Sequence, residues 1–441
     1  MTTTTNTTTK TKLTVGFLVL AALAGVASAA PADDFAVGRK LKRDLNLEKV
    51  PVIPNPKHQR NFEAAIRQAE LRYNITVGDP RDQRVGGPPG FLPLDIDATW
   101  DRSYIAKVQI GTPPQELSLD LDTGSSDFWV FSSDLPPDVT ANHNVFDYHK
   151  SSTWSLIPGA KFSIGYQDGS GASGNVGRDT VNLGGLSVKK QAVSIAQQQN
   201  NFDTGNSDGL IGLGFYNGRG AGSTVSTGPE KTPVDTLIAD GTLPPGSQLF
   251  TSAFYSWRDP TKSFYTFGYI DEGLVAASGQ ELKYTPVDGS VGYWTVPSTS
   301  GRVNGKVVTA GANQKAIADT GTSLAYLPAS IVKELYAQIP DVVKDTKGRY
   351  YFPNSSVTAL PTFEIAVGSN YWTIQPEDLV YQWIPEASLW AGGVQATDGL
   401  AILGDVFLKS VYTVWDRGLS RIGFVPKIEK TQSFEPNKFL N

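Results

Sequence analysis

Two aspartates stand in nearly the same short sequence, 197 positions apart. Asp122 lies within LDTGSS (residues 121–126) and Asp319 within ADTGTS (residues 318–323). Either Asp taken alone is typical of a turn residue that caps its own backbone. If an approximate twofold axis relates the two turns, the carboxylates meet, and like charges in a shared, partly dry site cannot both ionise easily. One carboxyl then keeps a proton as general acid while the other is a general base for water, without a metal, His or Cys.

A second repeated segment indicates that these turns belong to a duplicated lobe. LIG (residues 210–212) ends 90 positions after Asp122, and ILG (residues 402–404) ends 85 positions after Asp319. Nearly equal offsets of two paired segments are the signature of an internal repeat. We therefore expect each lobe to supply one carboxylate and one such apolar segment.

The composition favours many short strands. The 441 residues include 44 Gly, 28 Pro, 20 Phe, 17 Tyr and 9 Trp, and these are turn formers and strand formers. Helical periodicity is rare; in residues 330–339 Ile331, Leu335 and Ile339 share one face. We predict a mainly β, bilobal fold with the active-site cleft between two related β lobes, because about 340 residues of short strands exceed one sandwich.

The same composition excludes several kinds of site. Cys is absent, so no disulfide, thiol nucleophile or cysteine-built zinc site can form. Three His residues include no HExxH pair. A formal charge of −5 and a pI of about 5.4 argue against a nucleic-acid partner. We expect no cofactor and no metal.

Residues 1–29 are typical of a signal peptide. Lys10 and Lys12 precede an apolar run over residues 13–26, and Ala27-Ser28-Ala29 offers a small-residue cleavage site. The alternative is a membrane anchor, but the run is short for a bilayer. We expect an exported chain with no membrane contact after the signal is removed, secreted to the extracellular space or, alternatively, kept in a vacuole.

Residues 30–90 form a basic leader. They carry 11 Lys and Arg against 8 Asp and Glu, a net charge of +3, whereas the chain from Phe91 onward carries a net charge of −10. Asn61 can cap a helix whose apolar positions are Phe62, Ile66, Ala69 and Tyr73. Residues 86–90 (GGPPG) then interrupt regular structure. The leader is interpreted as a propeptide on a cleavable linker; the alternative is a solvated arm that stays attached.

These motifs together resemble the pepsin family (A1) of aspartic endopeptidases, in particular the secreted fungal members. The resemblance covers roughly residues 95–427. It implies that Asp122 and Asp319 are the catalytic pair around one nucleophilic water, and that the chain binds polypeptide substrates as a monomer. It also implies support from the residues that follow each Asp: Thr123, Gly124, Ser125, Thr320, Gly321 and Thr322.

Residues 162–171 (FSIGYQDGSG) by themselves indicate a hairpin with a Gly-rich tip. The resemblance implies that this hairpin is the flap over the substrate, with Tyr166 as the flap tyrosine paired to Trp129, and Gly169 at its tip. Gln167 departs from the usual Gly. Asp168 and Ser170 match relatives that accept Lys before the cut, so we predict cleavage after Lys as well as after bulky apolar residues.

The leader also has a counterpart in the family. In related zymogens a Lys-Tyr pair blocks the carboxylates, and the matching dipeptide here is Arg72-Tyr73, with Lys57 as the alternative basic residue. Acidification would loosen this block by protonating carboxylates. We expect self-cleavage between Arg84 and Asp97.

The predicted division is a signal peptide (1–29), a propeptide (30–90), an N-terminal lobe (91–272) and a C-terminal lobe (273–441). Asn354 begins an NSS sequon, a candidate glycosylation site in an exported chain. Two other functions remain open: a catalytically silent relative that only binds polypeptides, and a carboxylate-pair glycosidase. Both carboxylates, both Thr partners and the leader favour the protease.

Overall fold

The computed structural model describes residues 32–54, 59–60, 62–78, 98–99, 104–141, 143–165, 171–200, 207–256, 263–430 and 434. The predicted signal peptide (1–29), linker (86–90) and cleavage window (84–97) lie outside the described residues, as do Asn61 and Lys57. Within the described part, no helix combines the length and the apolar character needed to cross a bilayer.

The leader contributes four elements. They are α1 (Ala32–Asp44), β1 (Val50–Pro54), β2 (Gln59–Arg60) and α2 (Phe62–Tyr73). The helix prediction for the second half of the leader is confirmed, because α2 buries Phe62, Ile66, Ala69 and Tyr73 as its periodicity requires. The helix α1 was not expected from the sequence.

The remaining elements are mostly short strands, and the mainly β prediction is confirmed. Up to residue 212 they are β3 (Ala98–Thr99), β4 (Tyr104–Ile110), β5 (Gln115–Asp122), β6 (Phe128–Phe131), α3 (Pro137–Thr140), β7 (Ser155–Gly165), β8 (Gly171–Leu183), β9 (Leu186–Asn200) and β10 (Gly209–Gly212). The middle of the chain forms α4 (Pro233–Ala239), β11 (Leu249–Ala253), β12 (Phe264–Phe267), α5 (Glu272–Ala277) and β13 (Lys283–Pro286).

From residue 294 onward the strands are β14 (Trp294–Pro297), β15 (Ser300–Val303), β16 (Lys306–Thr309), β17 (Lys315–Ala318), β18 (Ala325–Pro328), β19 (Val343–Lys344), β20 (Tyr350–Pro353), β21 (Phe363–Val367), β22 (Asn370–Ile374), β23 (Val380–Ile384), β24 (Leu389–Gly392), β25 (Val394–Thr397), β26 (Ala401–Leu403), β27 (Val411–Asp416) and β28 (Arg421–Pro426). Two helices accompany them, α6 (Ala329–Ala337) and α7 (Asp405–Leu408), and short 3₁₀ helices lie at Tyr148–Lys150, Asn354–Ala359 and Pro376–Leu379. The predicted helical face of Ile331 and Leu335 is buried in α6.

The predicted duplication is visible in strand order. In the first half, β4, β5, β10, β6 and β9 are neighbours in this order, with antiparallel, parallel, antiparallel and parallel pairings. In the second half, β14, β17, β26, β18 and β25 repeat both the order and the alternation of directions. In each copy the LIG or ILG segment lies in the strand parallel to the one that leads to the Asp.

A 13-stranded sheet joins the two halves. Its order is β13-β28-β27-β11-β12-β1-β4-β5-β10-β6-β9-β8-β7. The leader strand β1 lies inside this sheet, antiparallel to both β12 and β4. Val52, at the centre of β1, is fully buried. The leader is therefore part of the folded core and does not form a solvated arm.

Candidate active site

The two repeated turns bring both carboxylates into one buried site. Asp122 is the last residue of β5, and Asp319 directly follows β17. The parallel neighbour of each strand supports its end: Gly212 of β10 stands opposite Asp122, and Leu403 of β26 stands opposite Ala318. Both aspartates have 0% exposure.

The threonines after the aspartates tie the two turns together. The amide of Thr123 donates to the Oγ1 of Thr320 at 3.0 Å, and the amide of Thr320 donates to the Oγ1 of Thr123 at 3.0 Å. Each hydroxyl in turn donates across the junction, from Thr123 to the Ala318 carbonyl at 3.1 Å and from Thr320 to the Leu121 carbonyl at 2.6 Å. Four reciprocal hydrogen bonds therefore fix the separation of the carboxylates.

Glycine after each Thr lets the carboxylates approach. A Cβ built on Gly124 would overlap the Asp319 carboxylate, and one built on Gly321 would overlap that of Asp122. Their amides donate to the inner oxygens, from Gly124 to Asp122 Oδ1 at 2.8 Å and from Gly321 to Asp319 Oδ1 at 2.9 Å. The hydroxyls of Ser125 and Thr322 donate to the outer oxygens.

The environment gives the two acids different proton affinities. Burial raises the pKa of Asp122 to about 6, against the lowering effect of the Arg72 guanidinium and with a further rise from the charge of Asp319. Burial also acts on Asp319, but Arg72 and hydrogen bonds from Thr322 and Tyr73 outweigh it and lower its pKa. The pair can thus hold a single proton between them, as general acid–base chemistry requires.

The leader helix α2 ends inside this site. The Nη2 of Arg72 donates to Asp122 Oδ2, and the Tyr73 hydroxyl donates to Asp319 Oδ2. Arg72 Nη1 also donates to the Gly321 carbonyl at 3.4 Å. Burial, reinforced by the charges of both carboxylates, raises the pKa of Tyr73 well above its usual value, so its hydroxyl remains a donor.

Several contacts of the leader were not anticipated from the sequence. The ring of Tyr293 packs edge-on against Tyr73 at 5.7 Å, and the Tyr326 hydroxyl donates to the Ala65 carbonyl at 3.0 Å. Beyond the helix, the amide of Thr76 donates to Asp398 Oδ1 at 3.0 Å. No short motif marks these partners, because they are spread over the second half of the chain and meet only in the fold.

Asp120 is a third acid that the motif search missed. It lies two residues before Asp122 on β5 and therefore points to the same side of the strand. Burial, and then the charge of Asp122, raise the pKa of Asp120 well above its usual value. The alternation Leu119-Asp120-Leu121-Asp122 is the signal that could have identified it.

The predicted flap is described in part. Strands β7 and β8 form the predicted hairpin, with Gly165 opposite Gly171. Tyr166, Asp168, Gly169 and Ser170 lie outside the described residues. Trp129 is buried on β6, with its ring 5.7 Å from that of Phe131. Its pairing with Tyr166 stays a prediction.

Asn354 lies far along the chain from the carboxylates. It is exposed at the start of a 3₁₀ helix, and its Oδ1 accepts a hydrogen bond from the Trp390 indole at 2.9 Å. Glycosylation at Asn354 stays a prediction.

Comparisons with known proteins give one consistent family. The model of the eukaryotic aspartyl protease family matches residues 103–427. Endothiapepsin of Cryphonectria parasitica is 35% identical over 393 residues, 85% of this chain and 89% of the relative. Penicillopepsin-3 of Penicillium janthinellum is 34% identical over 428 residues, 95% of this chain and 99% of the relative.

A further relative and a solved structure agree. Podosporapepsin of Podospora anserina is 39% identical over 354 residues, 79% of each chain. The crystal structure of an aspartic proteinase from Irpex lacteus superposes with a TM-score of 0.60, covering 75% of this chain and 96% of that one. At 24% identity, the latter supports the fold alone.

Proposed function

The chain belongs to the eukaryotic aspartyl protease family and is an aspartic-type endopeptidase with a pepsin-like fold; on this premise we propose that Asp122 and Asp319 are its catalytic pair. The observation that carries the proposal is the meeting of the two duplicated turns, each with a buried carboxylate held by the same pattern of donors. Thr123, Gly124, Ser125, Thr320, Gly321 and Thr322 are the positioning residues.

In the proposed reaction, a water bound between the carboxylates attacks the carbonyl carbon of an internal peptide bond. The ionised carboxylate takes a proton from this water, and the protonated partner gives its proton to the carbonyl oxygen. The resulting tetrahedral intermediate collapses when the carboxyl that took the water proton gives a proton to the amide nitrogen and the other carboxylate takes a proton from a hydroxyl of the intermediate, so that the C–N bond breaks and both acids return to their starting states. A shared proton is favoured because the two buried carboxylates lie so close together that they cannot both ionise easily.

We further propose that the chain is made as a self-inhibited zymogen. Arg72 and Tyr73 occupy the outer oxygens of both carboxylates, where the catalytic water would otherwise bind. The guanidinium of Arg72 has a second terminal nitrogen, which donates to the Gly321 carbonyl and so adds to the block. Acid would protonate Asp122 and release the guanidinium, after which the enzyme cuts its own chain between residues 84 and 97.

The remaining proposals concern export and substrate choice. An amino-terminal signal peptide (1–29) would direct the chain out of the cell, with the vacuole as the alternative destination. The substrates would be polypeptides bound by a monomer under the flap of residues 162–171, with Tyr166 paired to Trp129 and Gly169 at the tip. The preference would be for bulky hydrophobic residues, and Asp168 and Ser170 would add acceptance of Lys before the cut.

Hydrolysis of denatured haemoglobin tests the proposed function. We expect the purified chain to digest it at acid pH and to be blocked by pepstatin, and we expect the zymogen to shorten by itself under the same conditions. A silent relative would bind but not digest the substrate, and a glycosidase would leave it intact. A zymogen that never shortens in acid would contradict self-activation.

A further inference from the structure

The start of helix α2 fills a pocket at the opposite end of the helix from the catalytic carboxylates. The Phe62 ring is 2% exposed and packs edge-on against Tyr351 at 5.4 Å and tilted against Tyr381 at 6.3 Å. The amide of Phe62 donates to Gln382 Oε1 at 2.7 Å. An aromatic residue of the leader is therefore bound by both its side chain and its backbone.

The next residue, Glu63, meets a buried arginine. The Nη1 of Arg349 donates to Glu63 Oε2 at 2.5 Å, and the Nη2 lies 2.5 Å from Oε1 in an ion pair that does not have hydrogen-bond geometry. The side chain of Arg349 is only 2% exposed, while that of Glu63 is 24% exposed. The guanidinium also lies over the Phe62 ring at 5.8 Å.

The body of the protein holds Arg349 in place without help from the leader. Its Nε donates to Asp345 Oδ2 at 2.5 Å, and its amide donates to Asp345 Oδ1 at 3.0 Å. Asp345 is itself fixed by the Tyr351 hydroxyl at 3.2 Å. One edge of the guanidinium is thus committed to Asp345, and the other edge is aimed at the pocket that Phe62 and Glu63 occupy.

When the leader leaves, this outer edge loses its carboxylate while Asp345 still fixes its orientation. A guanidinium that donates one hydrogen bond and brings its charge close to a second oxygen, next to two tyrosine rings, matches a carboxylate beside an aromatic side chain. Glu63 precedes Tyr73 by ten residues on α2, so the pocket is about 15 Å from the catalytic pair along the helix axis. An extended peptide spans this distance with about four to five residues.

We propose that the activated enzyme uses Arg349, with Tyr351, Tyr381 and Gln382, as a binding site for an acidic residue next to an aromatic one in its polypeptide substrates. The leader would occupy the site in the zymogen by presenting the same pair, Phe62 and Glu63. The inference rests on the proposed function, because it assigns a specificity site to the same cleavage reaction.

Matched peptides test this inference on the acid-activated enzyme. An acid-free parent peptide is varied so that Phe-Glu or Phe-Gln stands at each of the third to sixth positions on either side of the scissile bond. We expect kcat/KM to favour Glu by about tenfold at one position, the size of a charged hydrogen-bonded pair. The preference should disappear on acidification below the ordinary Glu pKa of about 4.3, as the substrate carboxylate is protonated.

Variants then assign the preference to Arg349. Arg349→Gln should remove this preference, so that the Glu and Gln members of each peptide pair are cleaved with equal kcat/KM. The control is Arg302→Gln, since Arg302 also pairs with a carboxylate, that of Glu364 at 3.1 Å, and stacks on Tyr371, and both of these partners lie outside the leader. If Arg349→Gln does not fold, Arg349→Lys decides, because a compact ammonium cannot reach Asp345 and the substrate carboxylate with the two ends of one planar group, and it should reduce the preference at least about threefold.

The absence of a Glu preference at every scanned position overturns the inference, as does a preference that survives in the Arg349 variant. Cleavage of the acid-free parent peptide distinguishes failure of the acidic binding site from failure of the proposed protease function. If wild type cuts the parent but shows no Glu preference, only the acidic subsite fails. If wild type does not cut the parent at all, the proposed function fails with it.

Discussion

Threonine hydroxyls, rather than the carboxylates themselves, carry the connection between the two halves of the site. Each Thr side chain accepts one hydrogen bond from the opposite turn and donates one back. These groups are buried, so water cannot replace a lost partner. Positioning of the dyad should therefore depend on them more than on the surrounding apolar packing.

Thr123→Ala should weaken the site without removing an acid. It deletes one donor and leaves the Thr320 amide without its acceptor, which costs about 1–3 kcal/mol of unfolding free energy. We expect kcat to fall more than KM changes, because carboxylate geometry is disturbed while substrate contacts remain. Urea unfolding and peptide kinetics measure both effects. Thr123→Ser, which keeps the hydroxyl, should restore most of the activity; equal losses in Ala and Ser variants would argue against the hydrogen bonds as the cause.

In the proposed zymogen, Arg72 makes the block of the carboxylates depend on pH. The pKa of Asp122 with the leader bound is raised to about 6, chiefly by burial. Above this pH Asp122 is ionised and attracts the guanidinium; as the pH falls through about 6 it gains a proton and the attraction is lost. Asp319, with its lowered pKa, keeps accepting from Tyr73 until stronger acid is reached. We therefore expect acidification to loosen the leader in steps.

Arg72→Ala should make the uncleaved chain active at a pH at which the leader still blocks the wild type. Near neutral pH we expect the variant zymogen to cleave a reporter peptide about tenfold faster than wild type, the scale of a lost charged hydrogen bond. The ratio should shrink toward one in acid, since protonation of Asp122 already removes this ion pair. The exposed leader residue Lys40 provides the charge-matched control, Lys40→Ala. A ratio that grows in acid would contradict the role given to Arg72.

Among the elements, the leader strand β1 shows how the leader is attached to the rest of the protein, because it completes the sheet that joins both halves. Its residues alternate between faces: Val50 and Val52 are buried, whereas Pro51 is exposed. Val52 also donates its amide to the Ser263 carbonyl at 3.1 Å. The leader therefore holds the place between β4 and β12 in this sheet.

Substitutions on the buried and the exposed face of β1 test whether the packing of this strand in the sheet holds the leader on the protein. Val52→Asp places an unpaired charge inside the sheet and should destabilise the zymogen by about 4 kcal/mol, with loss of latency. Pro51→Asp adds the same side chain on the solvent face and should stay close to wild type. Urea denaturation and reporter cleavage at neutral pH give both readouts. Equal behaviour of the two variants would mean that β1 does not hold the leader in solution.

At the scale of the whole molecule, the internal duplication of the sequence allowed the fold to be predicted. The repeated Asp turns and the LIG and ILG segments predicted two related lobes, and the strand order repeats in both halves accordingly. The helix of residues 62–73 was also predictable, because its apolar positions follow helical spacing. Local sequence patterns were sufficient to predict the structure of segments whose conformation depends mainly on their own residues.

Contacts between distant segments were not predictable in the same way. Glu63 and Arg349 are 286 positions apart, and neither stands in a recognisable motif. Asp398 and Tyr326 likewise meet the leader only because strand order brings their segments to it. Single residues without periodicity or repetition carry no local signal of their partner, so the binding surface of the leader emerged only with the fold.

The central claim is that Asp122 and Asp319 together catalyse peptide hydrolysis. Its most direct test is to measure proteolysis by variants in which either acid is replaced by its amide. Asp122→Asn and Asp319→Asn are each prepared with a cleavage site for an added protease inserted in linker 86–90, so that the leader can be removed without self-activation. The exposed Asp138 provides the matched control, Asp138→Asn. With folding verified by circular dichroism, we expect haemoglobin digestion at acid pH to fall at least about a thousandfold in both dyad variants and to persist in the control. Normal digestion by a folded Asp319→Asn protein would contradict the account.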